Sequence, residues 1–239
     1  MKPSHESSLN LFLLGSCRIH RPIRKMMDQK KCILLNRKDP LWFMHTSRAA
    51  LQAIQFIKGE LQPPLHLREL IFETDNAREI EFEGNHHLNK TDVLIIEICS
   101  LTSIDIDGWE ANAHRVNRAE KLENPITKRV TKKKYNAQEI GDDLHEISKK
   151  IQKPILLVNH ISHTGIEKVD SSRAQLTSIL KEVVSRNKKI LLFDTAPLIK
   201  NSKLEKTIED NNHYCRDFEP VIGEAILDYA KNHYLNSEK

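Results

Sequence analysis

The 239-residue sequence is short of glycine, cysteine and aromatic residues. Its seven glycines form neither a G-x-G-x-x-G nor a G-x-x-x-x-G-K-S/T pattern, which argues against a glycine-rich phosphate loop. Its four cysteines are too sparse for a disulfide scaffold and include no C-x-x-C pair typical of zinc. We therefore expect free thiols, a reducing cytoplasmic compartment and no metal centre.

Long apolar runs are absent as well. No uncharged apolar stretch approaches the ~18–20 residues that cross a bilayer. The apolar run at residues 11–14 follows a polar N-terminus and is too short for the core of a signal peptide. The sequence therefore predicts a protein without a membrane segment.

The charge is nearly balanced, at 37 basic and 33 acidic residues, but it is unevenly spread. Residues 115–134 hold eight lysines and arginines against two glutamates, and they predict an excursion or lid at about residues 110–136 of a single domain spanning 1–239. This segment is either a flexible solvated loop or a surface that attracts a phosphorylated cofactor or an anionic glycan. The 5% aromatic content and the lack of a binding motif argue against a nucleic-acid partner and leave polyphosphate binding as a minor alternative.

Short apolar runs alternate with amphipathic segments along the chain. The runs predict buried parallel strands at residues 11–14, 32–35, 93–98, 155–158 and 190–193. Helical spacing of apolar residues predicts helices at 46–59, 137–151, 173–186 and 218–230, the third capped by Ser171 or Ser172. The alternation predicts an α/β fold, a three-layer α/β/α sandwich with a mostly parallel sheet. Residues 70–72 and 80–82 are ambiguous short strands, and Glu97 is a buried charge unless it ends its strand.

A nucleophile is predicted at the end of the first strand. Gly15 would form a tight turn that presents Ser16 or Cys17 above the sheet edge, where the chemistry of parallel sheets collects. The backbone amides of a following helix would favour a thiolate and hold an oxyanion. Arg18 comes next in the chain and would line the pocket. The alternative is a cysteine that serves only as a small buried apolar side chain.

An acid–base pair is predicted just before the last helix. Asp210 precedes His213 by three residues, so its carboxylate can reach one imidazole nitrogen from a loop or a single turn. Such a carboxylate fixes the tautomer of the histidine and stabilises the imidazolium that forms when the other nitrogen removes a proton. The D-x-x-H pattern is short, and a surface loop that caps the helix is the alternative.

The chain resembles the SGNH/GDSL hydrolase superfamily in three features taken together. These are a Gly-Ser-Cys at the end of the first strand, repeated strand–helix units, and a D-x-x-H before an amphipathic helix. In that family Gly-Asp-Ser ends the first strand and D-x-x-H supplies the acid and the base. Gly15-Ser16-Cys17 falls on Gly-Asp-Ser, which puts Cys17 on the nucleophile position and leaves Ser16 as the fallback. Asp210 and His213 fall on the D-x-x-H pair. The segments KPILLVNHIS and KKILLFDTAPLI look like the family's fourth and fifth strands, and DNNHYCRDFEPVIGEAIL looks like its last block.

Branches of the superfamily in which Gly-Ser-Cys replaces Gly-Asp-Ser resemble this chain more closely. Some of them are linked with capsule or other polysaccharide biosynthesis and look like acyl-coenzyme A-dependent transferases. The resemblance thus implies a flavodoxin-like, SGNH-like fold and a small-molecule or glycan acyl substrate. It also implies acyl-coenzyme A as a candidate donor, with no other cofactor required.

The oxyanion donors differ from the family's pattern, since no Gly-x-Asn-Asp block follows the third strand. The backbone amide of Cys17 and the hydroxyl of Ser100 are the predicted donors, and Gly84 is the candidate for the family's second glycine.

Three further residues are predicted to line the substrate pocket. His45 and Arg48 flank the start of a predicted helix, where they could bind a phosphate or a carboxylate, and a simple helix cap at Thr46 is the alternative. His160 follows the fourth strand, and a metal site formed with His163 would lack a third ligand.

The sequence thus predicts an esterase or O-acyltransferase that acts on acyl esters or thioesters. Cys17 would be the nucleophile, His213 the base and Asp210 the orienting carboxylate. A non-catalytic protein of the same fold that recognises an anionic ligand is the alternative, supported by the missing Gly-x-Asn-Asp block. The sequence leaves open hydrolysis or transfer, the acyl donor and acceptor, and the oligomeric state.

Overall fold

The computed structural model describes residues 8–37, 43–74, 77 and 85–235. Within these ranges the strands are β1 (Leu9–Leu14), β2 (Cys32–Leu34), β3 (Val93–Ile98), β4 (Thr102–Ile106), β5 (Trp109–Glu110), β6 (Val130–Lys134), β7 (Ile155–Asn159), β8 (Ile190–Phe193), β9 (Ile208–Asp210) and β10 (His213–Tyr214). The helices are α1 (Cys17–Asp28), α2 (Ser47–Ile57), α3 (Arg68–Ile71), α4 (Asn85–Asn89), α5 (Ala113–Lys121), α6 (Ala137–Ile151), α7 (Glu167–Ser185), α8 (Ala196–Lys200) and α9 (Glu219–Ala230). A 3₁₀ turn covers Pro125–Arg129 and a π-helical turn covers Lys231–Leu235.

Five parallel strands form the central sheet in the order β2-β1-β3-β7-β8. Each of the five apolar runs in the sequence is one of these strands, because continuous apolar runs suit strands that are covered on both faces. β1 begins two residues before the predicted start, and β2 ends one residue before the predicted end.

Alternate side chains of the sheet enter two separate cores. Leu11 and Leu13 of β1 pack with side chains of α1 and α9 on one face. Phe12 and Leu14 pack with side chains of α2, α6 and α7 on the other face. This arrangement confirms the predicted three-layer α/β/α sandwich.

The first and last long helices cross at very short range. A Cβ atom on Gly223 of α9 would lie 2.6 Å from the carbonyl oxygen of Pro22 in α1. Glycine is therefore required at this crossing, which holds together segments from opposite ends of the chain.

The start of α7 differs from the prediction. The helix begins at Glu167, so residues 171 and 172 lie inside it and the predicted serine cap is wrong. Asp170 lies in the first turn of the helix, and its carboxylate accepts hydrogen bonds from the backbone amides of residues 163–165, which fixes the preceding loop. Side-chain bonds to nearby backbone groups of this kind set helix starts without an apolar signal.

The basic segment at 110–136 consists of ordered elements. It contains α5, the 3₁₀ turn and β6, and β6 pairs with β4 in an antiparallel three-stranded sheet of order β5-β4-β6. The segment is thus a partly helical insertion whose last strand joins a small sheet, and this is a more regular structure than the flexible solvated loop considered from its sequence. Residues 131–134 are exposed on the edge strand, where lysines discourage pairing with a second chain.

Some predictions from the sequence concern segments that have a different structure or that lie outside the described residues. Residues 70–72 include the end of α3 and form no strand. Residues 80–82 and Gly84 lie outside the described residues. In the part of the chain that the structure describes, no helix is both long and apolar enough to span a bilayer.

Candidate active site

Cys17 lies where β1 gives way to α1. Ser16 is the N-cap of α1, Cys17 is the first residue of the helix, and the Cys17 side chain is half-buried. The preceding turn passes close to β3, because a Cβ atom on Gly15 would lie 2.6 Å from Cβ of Glu97 and 2.8 Å from Cδ1 of Ile19. Glycine is required at this position by close packing.

Ser16 is fully buried and bound to a carboxylate. Its backbone N–H and its hydroxyl both donate to Oε2 of Glu97, at 2.8 Å and 2.5 Å, and its Oγ accepts from the amide of Arg18 at 3.3 Å. The hydroxyl therefore anchors the start of α1 to β3, and it is Cys17 that carries the accessible side chain of this turn.

The buried negative charge of Glu97 is compensated by an ion pair. It is the last residue but one of β3, and Nε of Arg18 donates to its Oε1 at 2.5 Å. Burial alone would raise the pKa of the Glu97 carboxyl, but the Arg18 guanidinium and the Ser16 hydrogen bonds outweigh burial and lower it. The Glu97–Arg18 pair thus holds a negative and a positive charge directly beneath the Cys17 turn.

The Cys17 thiol is not ionised by its surroundings. Burial and the Glu97 carboxylate raise its pKa above the ordinary value, although Arg18 and Arg21 act in the opposite direction. The backbone amide at the helix start also lowers the pKa, as expected, but burial outweighs it. A thiolate at Cys17 therefore requires a base to accept the proton.

Asp210 and His213 form the hydrogen-bonded pair that the sequence predicts. They lie on the hairpin of β9 and β10, and Nδ1 of His213 is 2.8 Å from Oδ2 and 3.0 Å from Oδ1 of Asp210. The hydrogen bond from His213 lowers the pKa of the Asp210 carboxyl. Because Nδ1–H donates to the carboxylate, Nε2 is the ring nitrogen that can accept a proton.

The hairpin is bonded to the residue that follows Cys17. Nη1 of Arg18 donates to the carbonyl oxygen of Asn212, at 3.3 Å, and β10 packs against α1. The structure therefore brings the end of β1 and the Asp210–His213 hairpin to the same end of the sheet.

Two histidines near this cluster are neutral at physiological pH. Burial and Arg18 lower the pKa of His160 to about 3, and its Nδ1–H donates to the carbonyl oxygen of Ile161 at 3.1 Å. Burial and Arg18 likewise lower the pKa of His45 to about 4. His163 is exposed, and the described residues contain no group of three or more side chains suited to a metal ion.

Ser100 and Arg48 have other partners than those predicted. The Ser100 hydroxyl donates to the carbonyl oxygen of Thr102 at 3.2 Å, and its amide donates to the carbonyl oxygen of His45 at 3.0 Å. Both of its donors are thus engaged within the protein. Arg48 pairs with the buried Asp143 of α6 at 2.8 Å, which places its guanidinium in the contact between α2 and α6.

A small cavity adjoins the half-buried residue His45. Its volume is about 50 Å³, and polar side chains of the insertion and of α2 line it beside Ser100. Glu110 is buried in its wall, and hydroxyls of Thr46, Ser103 and Tyr135 donate to its carboxylate.

Arg173 is a residue that the sequence analysis did not single out. This residue of α7 donates from Nη1 to the carbonyl oxygens of Asn211 and Ile161 and from Nη2 to Oδ1 of Asn212. No local pattern marks such a contact, because the hairpin lies 38 and 39 residues further along the chain.

The sequence matches the TviD N-terminal domain family over residues 9–121 and 113–229, two overlapping segments that reach from β1 to α9. The Vi polysaccharide biosynthesis protein TviD of Salmonella typhi is 32% identical over 99 residues, which are 41% of this chain and 11% of that protein. The aligned part thus spans about a ninth of the curated relative.

Solved structures share the fold at low sequence identity. A Bacteroides fragilis protein inferred to be an acylhydrolase has a TM-score of 0.50 and 12% identity, covering 97% of this chain and 90% of its own. An inferred lipolytic protein of the G-D-S-L family from Desulfitobacterium hafniense has a TM-score of 0.47 and 12% identity, with 91% and 97% covered. The structure with a TM-score of 0.50 thus supports the expected fold, and the family match bears out the expected similarity to a polysaccharide biosynthesis protein.

Proposed function

The chain belongs to the TviD N-terminal domain family, and from this premise we propose that it is an enzyme acting on acyl esters or thioesters through Cys17, His213 and Asp210. One observation carries the proposal. The Asp210–His213 hydrogen bond lies on a hairpin that Arg18, the residue after Cys17, holds at the end of β1.

Each of the three residues has one role in the proposed reaction. Nε2 of His213 accepts the proton from Sγ of Cys17, while Asp210 holds the Nδ1–H tautomer and stabilises the imidazolium. The sulfur attacks the acyl carbonyl carbon and forms a tetrahedral oxyanion. The amide of Cys17 at the start of α1 is the proposed donor to that oxyanion.

Collapse of the intermediate expels the leaving group, which takes its proton from the His213 imidazolium, and leaves a thioester on Cys17. Water or an acceptor hydroxyl then attacks the thioester with His213 as base, which regenerates the thiol. In this proposal the thiolate forms during attack, in keeping with burial, which raises the pKa of the Cys17 thiol.

A glycan or polysaccharide precursor is the proposed acceptor, supported by the name of the Salmonella typhi relative. Acyl-coenzyme A is the proposed donor if the reaction is transfer, and water is the acceptor if it is hydrolysis. The cytoplasmic location and the lack of a nucleic-acid partner stay predictions.

The test measures p-nitrophenyl acetate hydrolysis and, separately, deacylation of acetyl-coenzyme A. We expect Cys17→Ala to lower turnover by ~10³-fold or more and to abolish an acetyl adduct seen by mass spectrometry. Cys215→Ala, which removes another half-buried thiol, is the matched control and should keep both the turnover and the acetyl adduct. Full turnover in Cys17→Ala would refute the proposed nucleophile.

A non-catalytic binding role is the second candidate, and the engaged donors of Ser100 favour it because they leave fewer groups for an oxyanion. In that case the wild type would show no turnover and no adduct with either substrate. An anionic glycan fragment would then bind wild type and Cys17→Ala equally in calorimetry.

A further inference from the structure

The hairpin that carries the acid–base pair is too short to hold its own shape. β9 has three residues and β10 has two, and Asn211 and Asn212 between them are exposed. A two-stranded hairpin of this length is marginal in water. Contacts from other elements must therefore fix the direction of the His213 ring.

Two arginines make those contacts at the hairpin turn. Arg18 donates to the carbonyl oxygen of Asn212 at 3.3 Å. Arg173 donates to the carbonyl oxygen of Asn211 at 2.6 Å and to Oδ1 of Asn212 at 2.9 Å. The hydrogen bonds from Arg173 are shorter than the one from Arg18, and they bind both residues of the turn.

Arg173 also fixes the turn to the central sheet. Its Nη1 donates to the carbonyl oxygen of Ile161, at 2.8 Å, just beyond β7. The same carbonyl oxygen accepts from Nδ1 of His160. One guanidinium therefore joins α7, the exit of β7 and the hairpin, and its planar fork can serve these acceptors together, whereas a lysine ammonium cannot reproduce that geometry.

One bond within the hairpin also closes the turn, from the amide of Asn212 to Oδ1 of Asp210 at 2.6 Å, but it does not tie the turn to another element. The remaining contacts hold the base of the hairpin. Tyr214 is buried, and the amide of Cys215 donates to the carbonyl oxygen of Thr207 at 3.0 Å. These bonds fix where the two strands enter and leave.

We infer that Arg173 is a positioning residue that aims the Asp210–His213 pair at Cys17 by clamping the turn between them. This inference rests on the proposed function. Arg173 acts through the hairpin, so its loss should affect proton removal from Cys17 more than ground-state binding of a small acyl substrate.

The first experiment compares steady-state kinetics of Arg173→Ala and Arg173→Lys with the wild type. A misplacement of about 1 Å can cost ~10²-fold in rate, so we expect kcat to fall by ~10- to 10²-fold with KM changed less than about threefold. Arg186→Ala, an exposed arginine at the other end of α7, is the matched control and should keep the wild-type kcat. An unchanged kcat in Arg173→Lys would overturn the inference, and this variant keeps the charge should Arg173→Ala fail to fold.

The second experiment separates positioning from simple stability. Guanidinium ion at low, non-denaturing concentration should restore several-fold the kcat of Arg173→Ala, while leaving Arg186→Ala unchanged. Asn212→Ala should show a smaller loss that is not additive with Arg173→Ala, because both remove the same contact. Absence of rescue together with full additivity would contradict the clamp.

The rate of Cys17 alkylation by iodoacetamide across pH separates this inference from the proposed function. Slower alkylation at neutral pH in His213→Ala and in Arg173→Ala supports both ideas. Slower alkylation in His213→Ala alone supports the nucleophile and base and overturns only the clamp. No effect of His213→Ala, with no turnover in the wild type, refutes the proposed function itself.

Discussion

At the scale of single residues, the chemistry depends on which atom of a side chain is already engaged. Nδ1 of His213 is bound to Asp210, and the Ser16 hydroxyl is bound to Glu97. The first bond frees Nε2 as a base, while the second removes Ser16 from reaction with a substrate.

Asp210→Asn tests the first of these bonds. The amide can donate to Nδ1 and so favour the wrong tautomer of His213, so we expect kcat to fall by ~10²–10⁴-fold with the fold intact. Steady-state kinetics measures the effect. Asp217→Asn, an exposed neighbour in sequence, should keep its activity, and equal activity of the two variants would contradict the role of Asp210.

Ser16→Ala tests the second bond. The substitution removes the N-cap of α1 and one donor to the buried Glu97, so we expect a loss of ~1–3 kcal/mol in the free energy of unfolding. Activity per folded molecule should persist. Urea unfolding measures the loss, with exposed Ser185→Ala as a control expected within ~0.5 kcal/mol. A loss of turnover without a loss of stability would reinstate Ser16 as the nucleophile.

The sequence predicted the Asp210–His213 hydrogen bond because its signal is local, a carboxylate three residues before a histidine. Gly15-Ser16-Cys17 is likewise a short pattern at the end of a strand, and only the family resemblance joined it to that pair. Arg173 was missed and Arg48 was misplaced because their partners are distant in sequence and are set by helix packing. Ser100 failed for a different reason, since a turn with Thr102 satisfies its hydroxyl locally.

At the scale of elements, the site depends on how closely two strands and a helix approach. The Gly15 turn touches the side chains of Glu97 and Ile19, so no larger residue fits between β1 and α1. The described strands of the central sheet were predictable because each is a continuous apolar run. The start of α7 was not, since hydrogen bonds of Asp170 to the preceding loop accompany it without an apolar signal. The short strand β4 was not either, since it is half polar and pairs with β6, which is distant in sequence.

Gly15→Ala tests the tight turn. Its Cβ atom would overlap Cβ of Glu97, so we expect the free energy of unfolding to fall by ~1–3 kcal/mol and activity to fall with it. Gly141→Ala in the middle of α6 is the contrast, because its Cβ atom meets nothing closer than 3.9 Å. That variant should gain ~0.5–1 kcal/mol, and urea midpoints of both variants measure the difference. Equal stability of the two variants would contradict the close packing.

At the scale of the whole molecule, two buried carboxylates give opposite responses to pH. Glu97 is paired with Arg18, and that pair lowers its pKa. The Glu110 carboxylate accepts only from the hydroxyls of Thr46, Ser103 and Tyr135 among the described residues, and burial raises its pKa. Glu97 thus stabilises the fold above its ordinary pKa and loses this effect as the pH falls. Glu110 favours the fold at low pH and loses this effect as the pH rises through its raised pKa.

Glu97→Gln and Glu110→Gln test these responses by urea unfolding between pH ~4 and ~8. Glu97→Gln leaves Arg18 buried without a counter-charge, so it should cost ~3–5 kcal/mol near neutral pH and progressively less in acid. Glu110→Gln does not titrate, so its stability relative to the wild type should rise with pH. If the free energy of unfolding of either variant changed with pH in parallel with that of the wild type, the pKa shift assigned to that residue would be refuted.

The contact of Gly223 with Pro22 has a consequence for biosynthesis of the chain. The proposed nucleophile stands on the first helix, and its proposed base lies on the hairpin before the last helix. These two helices meet at this crossing and through the ion pair of Lys25 with Glu219. A ribosome must therefore translate almost the entire domain before Cys17 can meet His213, and a nascent chain halted before residue 213 would carry the thiol without its proposed base.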